Sequence, residues 1–408
     1  MTGTGPANPF VLYRTRLASY ALARDRGWTD ADFVSTVTRL DKAVEAVAGT
    51  GFRVTPLTPS RPLAEALGLG GAILHVKDET ANVSGSHKAR HLFGTLLDEV
   101  VRGAWEGGEL AIASCGNAAV AAAVVAAAVG RSIRVFIPTW ADHQIVSILE
   151  RLGAHIEVCE RRPGEEGDPA YLRFTEAVAS GAVPFSVQST LTPTTIDGGR
   201  TVGWEIADQL PGTGPVRLFV QVGGGALASA VESGMAEGLG SEPVLHAVQT
   251  EACAPLDRAW RELTGDVARR LDVDLPVDAS ARARVFRESR PRTVETALAV
   301  METGTWMRPW EKVGTSAATG ILDDVTYDWR TVVGPMLRTA GWPIVVSEEA
   351  VIEANRLGRR ATGIDADPTG TAGVAGLLDD ATVATIRPVD RVVVLFTGVV
   401  RGQSPPTP

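Results

Sequence analysis

Short apolar runs recur along this chain, and between them apolar residues return every three or four positions. That alternation predicts strands and helices building parallel sheet with both faces covered. The runs predict strands over residues 72–76, 110–113, 133–137, 155–158 and 183–187, with helices over 117–129, 141–152 and 170–179 among them. A second series follows: helix 201–209, strand 216–222, helix 226–238 and strand 244–249. Ahead of both, residues 14–26 and 30–48 carry helical spacing, with Asp30 placed to cap the second helix. Thr55-Pro56-Leu57 opens an extended stretch, and 63–67 predicts a short helix. From Cys253 to about Trp342 the rhythm breaks into helical spacing without strand runs. A helix over 348–360, a small-residue turn over 367–373 and an apolar strand over 391–396 close the pattern. Residues 1–9 and the Pro-rich tail after Gly402 are expected to be loose.

Composition narrows this picture. A chain of 408 residues, 45% hydrophobic, is long enough for two domains with a large core. Its net charge of -9 and isoelectric point near 5.3 lack the basic footprint that nucleic-acid binding needs. Small molecules are therefore the expected partners. Cys115, Cys159 and Cys253 lie far apart without metal-ligand spacing, and six scattered histidines add no zinc motif, so neither a disulfide framework nor a metal site is expected. No basic stretch followed by an apolar core opens the chain and no run is long enough to span a bilayer, which makes the cytoplasm the default location.

Four stretches carry candidate chemistry, each where a predicted strand ends or a helix begins. Asn82-Val83-Ser84-Gly85-Ser86-His87-Lys88 sets a lysine after small turn-forming residues and at the head of a helix. Gly85 allows backbone angles closed to other residues, Ser84 or Ser86 can cap the helix, and Lys77-Asp78-Glu79 ends the preceding strand with charge. Ser114-Cys115-Gly116-Asn117-Ala118 turns from a strand into an alanine-rich helix and aims several N–H groups at one point, which suits a carboxylate or phosphate. Gly223-Gly224-Gly225-Ala226 follows an apolar strand; three consecutive glycines cost backbone entropy, and close approach to a bound phosphate explains them best. It is neither the dinucleotide fingerprint nor a P-loop. Thr397 stands at the carboxyl end of the last strand, where open parallel sheets bind ligands. A serine nucleophile three residues before Lys88 is excluded because that position is Gly85.

Together these stretches, in this order, resemble the fold-type II pyridoxal-phosphate enzymes, the tryptophan-synthase-β-like group of threonine synthases, dehydratases, cysteine synthases and diaminopropionate ammonia-lyases. The resemblance covers roughly residues 55–398. Residues 82–88 are similar to the family's Asn-Pro-Thr-Gly-Ser-Phe-Lys, 114–117 to its Ser-x-Gly-Asn, and 223–227 to its glycine phosphate loop. Residues 196–206 resemble a threonine-synthase segment, whereas 55–57 and 76–79 look ammonia-lyase-like.

The resemblance implies an α/β fold of two domains: 1–88 with 189–408 as the cofactor-binding domain, 253–342 being a mainly helical insertion near the site's mouth, and 89–188 as a smaller, mobile substrate domain. It implies pyridoxal 5'-phosphate as cofactor and a homodimer. Lys88 would form the internal aldimine and remove the Cα proton. Gly223, Gly224, Gly225 and Ala226 would bind the phosphate, Asn117 the ring oxygen, and Thr397 would face the pyridine nitrogen. Ser114, Cys115, Gly116, Asn117 and Ala118 would take the substrate carboxylate, with His87 and Gln188 also facing substrate.

A neutral hydroxyl opposite the ring nitrogen makes the ring a weaker electron sink than a carboxylate would. That favours α,β-elimination through an aminoacrylate, on a serine, threonine or diaminopropionate type of substrate. The alternative is β- or γ-replacement, as in threonine or cysteine synthases; a non-catalytic binding protein is a third reading, which retention of these residues opposes. Three departures bear on substrate: His87 replaces the usual phenylalanine, Cys115 a frequent serine, and Ala89 the aspartate typical of threonine synthases. Arg90 and the five arginines between Arg282 and Arg292 remain as partners for a phosphorylated substrate, the latter five also reading as a solvated face of the helical layer.

Overall fold

The computed structural model describes residues 7–104, 107–289 and 292–401, Arg287's side chain aside. Its chain divides into two compact units. One comprises the described residues of Met1–Thr55, Ala81–Thr201 and Val400–Pro408; the other comprises Pro56–Thr80 and Val202–Val399.

Four parallel strands centre the first unit: β3 (Leu110–Ala113), β4 (Ile133–Pro138), β5 (His155–Cys159) and β6 (Val183–Pro184), in the order β5-β4-β3-β6. The N-terminal helices pack with this sheet's helices, so the division differs from the expected boundaries at 88/89 and 188/189. The reason is apolar. Phe10 and Phe52 close on Phe93 with ring centroids 4.7 and 4.5 Å away, and Asp30–Ala48 lies against Asn117–Ala128. That N-terminal helix is capped by Thr29 in a reciprocal box with Asp32, not by Asp30. Residues 7–9 are ordered rather than loose, because Asn8 Oδ1 accepts the N–H groups of Phe10 and Val11. The rest of the expected N-terminal fraying, and the tail after Gly402, lie outside the described residues.

The second unit holds β1 (Leu57–Pro59), β2 (Ile73–Asp78), β7 (Val216–Gln221), β8 (Val244–Thr250), β9 (Pro343–Val346) and β10 (Arg391–Phe396). Their order is β1-β2-β10-β7-β8-β9, parallel except for β1. β2 runs two residues past its expected end at 76. Lys77 does not close it in solvent but is fully enclosed, its Nζ 2.6 Å from Glu205 and 3.2 Å from Gln209. The stretch 253–342 is a helical layer on this sheet. Trp260, Trp329 and Met336 from its helices Pro255–Leu271 and Trp329–Thr339 share one core with Phe219, Leu245 and Ile344. The small-residue stretch 367–373 is a helix, Pro368–Ala375, capped by Asp367, rather than a turn. Among the described residues no helix is long and apolar enough to cross a membrane, and no cluster of His, Cys, Asp and Glu is set to hold a metal.

Candidate active site

Both sheets deliver polar loops at the carboxyl ends of parallel strands. The first unit holds Lys88, His87, Ser114, Cys115, Gly116, Asn117, Ala118 and Gln188; the second holds Gly223, Gly224, Gly225, Ala226 and Thr397.

The turn before Lys88 is braced by Asn82. Its Oδ1 accepts the Val83 N–H at 2.8 Å, and its Nδ2 donates to the Ser86 carbonyl at 3.4 Å. Ser84 and Gly85 both adopt left-handed backbone, at φ 58° and 69°. For serine this costs about 1–2 kcal/mol, so the surrounding contacts must hold it there. Neither Ser84 nor Ser86 caps the helix Lys88–Arg102, which begins directly after His87. Lys88 opens that helix half-buried. One turn further, the fully buried His91 points Nδ1 at the Thr195 carbonyl, 2.9 Å away, so the proton sits on Nδ1. Burial first, and then the Lys88 charge, pull its pKa from 6.5 down to about 3. His91 is therefore a neutral imidazole, packed edge-on to His87 at 5.6 Å.

β3 ends in the Ser114 loop. Ser114 Oγ accepts the Gly116 N–H at 3.4 Å, and Gly116 precedes the helix Asn117–Ala128 without a side-chain cap. The first N–H groups of that helix have no intrahelical partner. Asn117 Oδ1 accepts from Arg401, a residue outside every motif read from the sequence. β6 lies parallel beside β3, so the segment 186–188 leaves the sheet at the same edge as the Ser114 loop. There the Gln188 N–H meets Ser186 Oγ at 3.2 Å, and Gln188 Oε1 is buried without a partner among the described residues. Cys115 is half-buried and in no disulfide.

In the second unit β7 leads into the glycines. Gly225 has φ +100°, which only glycine adopts without strain, and it precedes the helix Ala226–Leu239. The other two are packed on their Cβ side. A Cβ on Gly223 would lie 2.1 Å from Asp323 Oδ2 and 2.9 Å from the Ile321 Cα, and one on Gly224 would lie 3.2 Å from the Tyr327 ring. The segment 321–328 thus fills their Cβ side, while the first N–H groups of the helix keep no intrahelical acceptor. Gly223→Ala is accordingly expected to push this segment away at a cost of about 1–3 kcal/mol. Thermal unfolding and cofactor titration should both report the loss; unchanged values in both would contradict this packing.

β10 lies beside β7 and ends next to Thr397. Gln221 Nε2 donates to the Gly370 carbonyl at 3.0 Å and to Thr397 Oγ at 2.6 Å. A carbonyl only accepts, so the amide nitrogen must face Gly370, and Thr397 Oγ receives a proton rather than giving one to Gln221. Any bond made by the threonine's own proton is then a donation, as an unprotonated ring nitrogen requires. Gln221 was not singled out by its sequence because it reads as the end of an apolar strand.

Two arginines offered for a phosphate are committed elsewhere. Arg90 is fully buried and donates to Thr201 Oγ, the Arg53 carbonyl and Thr55 Oγ. Arg282 donates to Thr264 Oγ and to the carbonyls of Arg261 and Pro276. The threonine-synthase-like segment is structural too: Asp197 accepts the Ala18 N–H, and a Cβ on Gly198 would lie 2.1 Å from the Arg90 carbonyl oxygen.

Parallel open sheets with polar loops at their carboxyl ends define an α/β ligand-binding architecture. Residues 49–398 match the family described as pyridoxal-phosphate dependent enzyme, and the chain belongs to that family. It is similar to the threonine synthase of Bacillus sp. (strain ULM1), 26% identical over 351 residues, 84% of this chain and 82% of that one. Its fold is similar to that of maize serine racemase, with a TM-score of 0.63 at 17% identity, covering 89% of this chain and 92% of the other. It also resembles the fungal L-serine ammonia-lyase of Rhizomucor miehei, with a TM-score of 0.61 at 18% identity, covering 85% and 94%. The chain is thus a fold-type II enzyme that uses pyridoxal 5'-phosphate. Residues of each unit fit that group: in the first, an amine at Lys88; in the second, the N–H groups heading Ala226–Leu239 for a phosphate and the buried Thr397 hydroxyl, which accepts from Gln221.

Proposed function

We propose that the chain is a lyase that removes the Cα proton and a β-substituent from an amino acid of the serine, threonine or diaminopropionate type. The observation that carries this reading is the buried Thr397 hydroxyl held by Gln221. When bound, the cofactor supplies an electron sink for the bond broken at Cα. A hydroxyl at Thr397, unlike a carboxylate, would not hold a proton on the ring nitrogen, which would weaken that sink and favour early departure of the β-group. Lys88 holds the cofactor and then moves the Cα proton through its Nζ. Gly223, Gly224, Gly225 and Ala226 hold the phosphate, and Asn117 donates to the ring oxygen. Ser114 and the N–H groups of residues 115–118 orient the substrate carboxylate, with His87 and Gln188 facing the side chain.

Replacement is the second reading, supported by the threonine synthase relatives. Commitment of Arg90 and Arg282 inside the protein weighs against a phosphorylated substrate. Incubation with serine, threonine, diaminopropionate and O-substituted analogues, with and without thiol or amine nucleophiles, separates the two. Without a nucleophile, elimination is expected to give one 2-oxo acid per turnover, with one ammonia from serine, threonine or the O-substituted analogues and two from diaminopropionate. A substituted amino acid formed with no oxo acid would make replacement the function.

A further inference from the structure

Asn117 opens the helix Asn117–Ala128, and its Oδ1 accepts from Arg401 twice, from Nε at 3.0 Å and from Nη2 at 2.6 Å. The same Nη2 donates to the Ser84 carbonyl at 2.6 Å. A guanidinium carries donors only, so the atom of the Asn117 amide that faces it must be the oxygen. The amide nitrogen is thereby turned away from Arg401. An amide able to flip would offer its oxygen to the cofactor's anionic ring oxygen, and two acceptors repel. The charge-assisted contact also polarises the amide, which strengthens its N–H as a donor. Through Ser84, one guanidinium ties this amide to the strained turn that leads into Lys88.

We infer that Arg401 is a positioning residue: it fixes Asn117 as a hydrogen-bond donor to the cofactor's ring oxygen and holds that donor in register with the Lys88 turn. This rests on the role given to Asn117 above. Arg401 is placed to act through Asn117, and that indirectness is what the experiment reads. The cofactor's dissociation constant is measured for wild type, Arg401→Met, Asn117→Ala and the double variant, together with the pH midpoint of the bound cofactor's visible band. Arg401→Met is expected to weaken binding by about tenfold, the size of one well-oriented hydrogen bond to a charged group. It should also raise the band's pH midpoint, because a nearby cation favours the deprotonated form. In the Asn117→Ala background the same substitution is expected to change affinity by less than about twofold.

Two further variants guard against a misfolded chain. Arg401→Lys keeps the charge and should hold the band's midpoint near that of wild type. Asn117→Asp keeps an acceptor for Arg401 but offers no N–H, and should lose cofactor affinity as Asn117→Ala does. Equal losses from Arg401→Met in both backgrounds, or an unshifted band, would overturn the inference while leaving Asn117's role intact. Wild-type affinity in Asn117→Ala would instead remove the role of Asn117 itself.

Discussion

Lys88→Ala is expected to abolish turnover, by about 10³-fold or more, because in the proposed function one side chain supplies both the anchoring amine and the base for the Cα proton. The protein should still fold. Lys88 opens its helix half-buried, and the turn before it is braced by Asn82 and Arg401. Alanine is also the best helix former, so the helix Lys88–Arg102 keeps its start. His91 offers no substitute base, because its Nδ1 is tied to Thr195 and its ring is fully buried. Steady-state assays on the substrates above, with circular dichroism to check folding, measure the effect. A folded Lys88→Ala retaining a tenth of wild-type activity would remove Lys88 from the mechanism.

Glu205→Ala should carry the largest stability cost. Lys77 Nζ and Glu205 Oε2 are 2.6 Å apart with both side chains at 0% exposure, so alanine leaves an ammonium sealed in the core beside the neutral amide of Gln209. Stranding one member of a buried pair costs about 3–5 kcal/mol, whereas replacing both by apolar residues of similar size is close to neutral. Denaturant unfolding should therefore show a large drop for Glu205→Ala and recovery of most of it in Lys77→Met/Glu205→Leu. If the double variant were as unstable as the single one, lost packing rather than a stranded charge would explain the cost.

Much of the fold was legible because the interior strands are enclosed on both faces and read as plain apolar runs. The predicted strands at 110–113 and 391–396 coincide with β3 and β10, and the predicted helix at 226–238 ends one residue short. β1, three partly exposed residues on an antiparallel edge, was legible only as an extended stretch, and β9 escaped notice as a short run straight after a long helical layer. Caps were misread where two neighbours both qualify, as with Thr29 beside Asp30. The four loops stood out by their glycines, serines and position after strands. Their supports did not, because Gln221 and Arg401 act across gaps of 176 and 284 residues to Thr397 and Asn117. Local pattern carries no signal for such pairs. The same limit hid the partners of Arg90 and Lys77, each enclosed by residues far along the chain.

The chain contains four lysines, Lys42, Lys77, Lys88 and Lys312, which makes the site of cofactor attachment a choice among few. Lys42 and Lys312 are exposed, and Lys77 is sealed against Glu205. Borohydride reduction of cofactor-saturated protein, followed by peptide mass mapping, reads that choice directly. The pyridoxyl mass is expected on the peptide containing Lys88 and on no other. Its appearance on Lys77, or on no lysine of the saturated protein, would contradict the assignment of Lys88 as the cofactor's anchor.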